Sequence, residues 1–157
     1  MISNIYGLRE DEPIGSWLAR LLDPIDIASR RRVGEIIVGL EGANLMSEFP
    51  MHLGKLAQTY GRRIGLDAEE LMWRGTFLPL YAPFIDSARL RRLIDAMQSS
   101  GPVRPHSVVG AHPTQTRPSR RLRYCPVCRH EDLQHSRTAW WRRCHQVAGV
   151  EICPVHR

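Results

Sequence analysis

Two near-identical turns close to the carboxy end restrict this chain more than anything else in it. Cys125-Pro126-Val127-Cys128 is followed, 24 residues later, by Cys153-Pro154-Val155-His156, which gives the pattern C-x2-C-x24-C-x2-H. Three thiolates and one imidazole form a tetrahedral zinc set of the structural kind. The spacing has a mechanical reason: two ligands three residues apart can grip one ion from a tight turn, and the intervening segment brings the chain back so that the second turn closes the tetrahedron. Neither oxidation nor simple packing accounts for the pattern as well. A disulfide needs an oxidising compartment, a redox Cys-x-x-Cys needs an adjoining βαβ pattern, and inert buried thiols have no reason to recur in paired Cys-Pro-Val turns.

Cys144 and His145 are the remaining candidates for the ion. Either could replace His156 if the fold demanded it, but neither stands in such a turn, and buried packing is the commoner fate of a cysteine like Cys144. His130 and His135 are most simply surface histidines. No open coordination position with a nearby general base is evident, so the zinc is expected to be structural and not catalytic. Between the turns, AWWRRCHQVAGVEICP suggests two short strands about Ala148-Gly149, a β-hairpin that places Trp140 and Trp141 on opposite faces. One Trp then packs on the metal turns, and the other is free to stack on a base or meet another protein.

The rest of the chain is helical in pattern. Ile14, Trp17, Leu18 and Leu21, then Val33, Ile36, Ile37 and Leu40, recur at three- and four-residue spacing. Asp11-Glu12-Pro13 makes a helix start and Asp23-Pro24 a stop. Further helices are expected over about 28–39, closed by Gly42; over 50–60, stopping at Gly61, with Leu53, Leu56, Ala57 and Tyr60 inward; from Asp67, an N-cap with Glu70 three residues on, to Gly75; and over 87–99, with Leu90, Leu93, Ile94 and Met97 on one face. The third and fourth of these resemble a helix-turn-helix with a rather long turn. Glu69 and Glu70 stand where a recognition helix would meet phosphates, which argues against DNA reading there. The stretch 101–119 has four Pro, two Gly and no helical periodicity, as a linker does. The expected architecture is therefore mainly α: a small helical, helix-turn-helix-like domain over 1–99, a Pro-rich linker over 100–119, and a zinc-ribbon-like Cys3His module with a short β-hairpin over 120–157.

Charge is distributed unevenly along this layout. Residues 1–99 carry eleven Arg and Lys55 against thirteen acids, a net −1, whereas residues 100–157 carry ten Arg against Glu131, Asp132 and Glu151, a net +7. Guanidinium groups suit phosphates and base edges, so any DNA contact is expected from Arg117, Arg120, Arg121, Arg123, Arg142 and Arg143. No apolar run approaches the roughly 18 residues of a membrane helix, and the amino terminus carries no secretory pattern; the expected compartment is the cytoplasm. Trp17, Trp73, Phe77, Leu78, Tyr81 and Phe84 are more large apolar groups than five short helices readily hide. Trp17, Leu78 and Phe84 are assigned to the core, while Trp73 and Tyr81, flanked by Arg74, Pro79 and Pro83, are the candidate partner-binding anchors.

Taken together, RYCPVC, AWWRRCHQVAGVEICPVH, EDEPIGSWLARLL, EFPMHLGKLAQTYG and ELMWRGTFLPLYAPFIDSARLRRLIDAM resemble, in order, segments of the TniQ/TnsD family of transposition proteins, and they span nearly the whole chain. Members of that family usually continue past the closing His; the stretch 24–46 matches poorly. The resemblance implies a non-enzymatic target-selection adaptor that binds a DNA site, or joins an RNA-guided CRISPR effector, and recruits the transposon's AAA+ ATPase regulator. The absence of a G-x-x-x-x-G-K-[ST] loop agrees with the ATPase being another chain. A zinc-containing DNA-binding transcriptional regulator is the alternative, since it would share the metal and the charge asymmetry. A hydrolase or nuclease with a catalytic zinc would need an open metal position and a base, and the sequence offers neither.

Overall fold

The computed structural model describes residues 7–22, 32–40, 43, 45–99, 101, 103–110 and 122–157. Helix α1, Ile14–Leu22, presents Ile14, Trp17, Leu18 and Leu21 along one stripe, each no more than 5% exposed. Its start is where the sequence places it, with Ser16 and Trp17 donating to the Pro13 carbonyl. Glu12, however, is not a solvated helix-start acid. It is fully buried and accepts from Arg9 N, Ser16 Oγ and the Arg20 guanidinium. Helix α2, Val33–Val38, closes at Gly39, whose φ of 70° suits a residue without a Cβ; residues 28–31 and the expected stop at Gly42, like Asp23-Pro24, lie outside the described residues.

Helix α3, Leu53–Ile64, passes through Gly61 and stops at Gly65. Gly61 serves close packing instead of termination: a Cβ there would sit 2.7 Å from the Leu66 carbonyl oxygen. Helix α4, Ala68–Gly75, opens on the expected capping box, with Asp67 accepting from Glu70 N and the Glu70 carboxylate accepting from Asp67 N. The connection is thus Gly65-Leu66-Asp67, shorter than the sequence suggested. A four-residue helix α5, Leu78–Tyr81, runs into a 3-10 turn at Ala82–Phe84, and α6, Ser87–Gln98, is capped by Asp86. Helix α6 packs across both α3 and α4, while α2 packs on α3.

Trp17, Leu18, Phe49, Leu53, Leu56, Leu71, Leu78, Leu93 and Met97 are all at most 2% exposed and form one core. Each large side chain buried there contributes roughly 1.5–3 kcal/mol. Trp17 and Leu78 are where the sequence put them, but Phe84 is 84% exposed. The 3-10 turn ends at Phe84, and the extended residue after it, Ile85, takes the place against the core.

Within the stretch expected to be a linker, helix α7, Pro105–Val108, packs on α6 and buries Val108. Residues 111–121 lie outside the described residues. Beyond them come α8, Pro126–Ser136, and α9, Arg143–Gln146. No strand occurs among the described residues, so the expected hairpin is absent. The reason is local. The Gln146 side-chain amide takes the position of a strand partner, accepting from Arg123 N at 3.0 Å and donating to Arg123 O at 2.7 Å, and Gly149, at φ 83°, sits in the turn closed by Val150 N donating to Val147 O. No helix among the described residues is long and apolar enough to cross a membrane.

The carboxy-terminal segment is docked on the first helix. Asp11, held at φ 54°, accepts from Arg143 Nε and Cys144 N through its carboxylate and from Arg143 N through its carbonyl. Arg143 also donates to the Trp73 and Thr76 carbonyls, Trp141 N donates to Ser16 Oγ, and the Trp140 indole N–H donates to Glu10 O.

Candidate metal centre

Pro126 fixes the first residue of α8, so Cys125 stands just before the helix and Cys128 in its first turn. The chain returns after α9 to bring Cys153 and His156 onto them. The four ligand atoms lie within 4.8 Å of one another and could hold a metal ion. His156 Nδ1 is 3.6 Å from Cys125 Sγ, 3.2 Å from Cys128 Sγ and 3.7 Å from Cys153 Sγ, and the last two sulfurs are 3.7 Å apart. These separations suit four donors converging on one centre. Cys125 and Cys128 are buried, and Cys153 and His156 half-buried.

Electrostatics divides the thiols. Burial, and then hydrogen bonding with Cys153, pushes Cys128 up to about 12. At Cys153 burial acts against ionisation, but hydrogen bonds from the His156 backbone, His145 and the Val155 backbone prevail and bring the thiol down to about 5. Cys144 is pushed up to about 12 by burial and by Asp11, and it stands outside the ligand cluster, as does His145.

The surrounding residues orient the ligands. The far ring nitrogen of His156, Nε2, lies 3.1 Å and 3.2 Å from the two Glu131 oxygens, which leaves Nδ1 as the nitrogen that faces the three sulfurs. Asp132, 4% exposed, holds Arg142 through two bonds of 2.8 Å and 2.6 Å, and that guanidinium lies over the Trp140 ring at 4.6 Å. Neither acid was singled out in the sequence. The signal was there, because Glu131 follows Cys128 by three residues and shares its helix face once α8 is recognised. Glu131→Gln is expected to weaken metal affinity about 10- to 100-fold, as loss of a ligand's carboxylate partner generally does; competition with a chromophoric chelator measures it, and unchanged affinity would show that this pair is incidental.

The arginines read as DNA-contacting divide into two groups. Arg123 donates to the Val147 and Val150 carbonyls at 2.6 Å each, Arg142 to Asp132, and Arg143 to Asp11 and two carbonyls, so the structure places these three in internal bonds. Arg117, Arg120 and Arg121 lie outside the described residues. Of the proposed anchors, Trp73 and Tyr81 are half-buried against the core, and Tyr81 meets Phe49 edge-on at 5.1 Å.

A model of the TniQ family matches residues 5–157, which includes all four ligand positions. Among characterised proteins, the transposon Tn7 transposition protein TnsD of Escherichia coli is 27% identical over 146 residues, covering 93% of this chain and 29% of that protein. The chain therefore spans less than a third of that relative's length.

Proposed function

The chain belongs to the TniQ family, and on that premise we propose that it serves DNA transposition as a non-enzymatic target-selection adaptor acting in the cytoplasm. The observation that carries this reading is the family match along residues 5–157, with the clustered Cys125, Cys128, Cys153 and His156 inside it. The metal in this reading is zinc, the usual occupant of a Cys3His set. Its chemistry there is structural: it joins three thiolates and an imidazole and supplies folding free energy to a segment too small to bury a sufficient core by itself.

On this reading the chain links a target DNA site, or an RNA-guided CRISPR effector, to the transposon's AAA+ ATPase regulator. DNA contact falls to Arg117, Arg120 and Arg121, since Arg123, Arg142 and Arg143 bond internally. Each lost phosphate contact lessens the slope of log affinity against log salt by about one. In this reading the ATPase-facing surface is the α4–α5 side carrying Trp73 and Tyr81, and the exposure of the nearby Phe84 and of the 40%-exposed Leu80 supports an apolar contact there. Phe84 makes the cleaner probe, because truncating a half-buried Trp73 or Tyr81 also opens the core.

The experiment is capture of the cognate AAA+ ATPase by the tagged chain, paired with target-site mapping in cells. Wild type is expected to retain the ATPase and to direct insertion. Phe84→Ala is expected to weaken capture by more than about 1 kcal/mol with an unchanged melting profile. A wild-type chain that neither captures the ATPase nor alters target choice would refute the adaptor reading.

A further inference from the structure

A cleft of about 470 Å³ opens beside the ligand cluster, lined by Tyr124, Arg129, Trp140, Trp141 and Arg142 among others. Its size is within the range of about 300–1,000 Å³ that small-ligand sites occupy. The three aromatic rings differ in what they have left to offer. Trp140 already carries the Arg142 guanidinium at 4.6 Å and that of Arg9 at 5.3 Å, and its indole N–H is donated to Glu10 O, so it serves as a wall. Tyr124 and Trp141 meet edge to face, with centroids 6.0 Å apart and planes at 75°, and thus form a corner in which Tyr124 stays 57% exposed. The guanidinium groups differ likewise. Arg142 is bound to Asp132 through two bonds, whereas Arg129, one residue past Cys128 on α8, is exposed and has no side-chain partner among the described residues.

An open aromatic corner beside a free guanidinium favours a ligand that is flat, π-rich and anionic. Arg129 repels a cation, and a plain apolar chain leaves the guanidinium without a partner. A nucleotide has both features in one unit, since its base stacks on an aromatic ring and its phosphate suits an Arg. The nucleotide must be unpaired, because a base inside a duplex has its faces covered by its neighbours and shows only its edges in the grooves. A polyanion also matches the net +7 of residues 100–157. We propose that this cleft binds an unpaired nucleotide of a DNA strand, with the base stacked in the Tyr124–Trp141 corner and the phosphate on Arg129. That the strand is DNA rests on the transposition reading above; the stacking and the phosphate contact rest on the cleft.

The test measures binding of the full chain, purified without chelators, to a dye-labelled oligothymidylate by fluorescence anisotropy, beside its duplex with oligoadenylate and an abasic strand of equal length. Wild type is expected to bind the thymine strand more tightly than the abasic one. Tyr124→Leu keeps apolar bulk and removes the ring; it is expected to lose about 5- to 150-fold in affinity for the thymine strand, the worth of stacking one base, and to bind the abasic strand and the duplex as wild type does. Tyr124→Phe keeps the ring and is expected to recover most of the loss. Arg129→Gln is expected to lessen the slope of log affinity against log salt by about 0.7, the share of one single-strand phosphate. No binding of the thymine strand by wild type, equal affinity for thymine and abasic strands, or a folded Tyr124→Leu chain with wild-type affinity overturns the proposal. Should Tyr124→Leu not fold, the exposed Arg129→Gln decides it, and an unchanged slope overturns it. Variants that bind the thymine strand normally but lose capture of the ATPase assign the cleft to a protein contact and overturn it equally. A wild-type chain that captures no ATPase and leaves target choice unaltered defeats the adaptor reading, an outcome separate from any result with the thymine strand.

Discussion

Cys128→Ser is expected to abolish metal binding and to melt the segment from Tyr124 to Arg157. Cys128 is the most enclosed of the four, at 2% exposure, and its sulfur approaches both His156 Nδ1 and Cys153 Sγ. A serine oxygen is both shorter and far harder to ionise, so the set falls to three. Structural zinc in small modules is worth about 10–16 kcal/mol at neutral pH, far more than the exposed Val127, Ile152 and Val155 around this site can supply by burial. The consequences extend beyond the module. Arg143, Cys144, Trp141 and Trp140 donate to Asp11, Ser16 and Glu10, so unfolding the segment removes partners worth about 0.5–1.5 kcal/mol each from the start of α1. Metal content by mass spectrometry should fall to zero, and Trp fluorescence should shift to the red while most helical circular dichroism remains. Retention of native fluorescence without metal would show that the segment folds by itself, and full loss of helicity would show that residues 1–99 and 120–157 do not fold as separate units.

Glu12→Ala is the second large effect, and it acts on the helical part. The Glu12 carboxylate is fully buried and takes Arg20 Nε at 2.8 Å, Arg20 Nη2 at 2.7 Å, Ser16 Oγ at 2.8 Å and Arg9 N at 3.0 Å. Removing it leaves the Arg20 guanidinium, 8% exposed, without its ion-pair partner. Breaking one side of a buried pair costs about 3–5 kcal/mol, whereas replacing both sides with apolar groups of similar volume is often nearly neutral. Glu12→Ala is therefore expected to lower urea stability by that amount, and Glu12→Met with Arg20→Met to recover most of it. Ser16 adds a second consequence, because its hydroxyl joins Glu12 to Trp141 N, so the single variant should also loosen the docked segment. A double variant as unstable as the single one would mean that the carboxylate's other bonds, to Ser16 and Arg9, carry the effect.

The legible parts of this chain were those set by local chemistry. The Asp67–Glu70 capping box, the Leu53 and Leu56 stripe, the Leu93 and Met97 stripe and the paired Cys-Pro-Val turns each depend on residues a few positions apart, and each occurs as expected. What the sequence concealed depends on distant partners. Gly61 looks like a helix stop until Leu66 is seen folding back over it. The turn at Ala148-Gly149 suggested two short strands where the Gln146 amide bonds the Arg123 backbone instead. Arg123, Arg142 and Arg143 look like a phosphate-binding run until the carbonyls, Asp132 and Asp11 that they bond are in place. Basic composition counts the charges of a surface but not those already neutralised within the fold.

In the proposed reading, one zinc held by Cys125, Cys128, Cys153 and His156 is what the folding of the carboxy-terminal segment depends on. X-ray absorption at the zinc edge of the protein, purified without chelators, tests it most directly. One zinc per chain is expected, with three sulfur scatterers at about 2.3 Å and one nitrogen at about 2.0–2.1 Å. A first shell of oxygen and nitrogen alone, or of two sulfurs and two nitrogens, would contradict it.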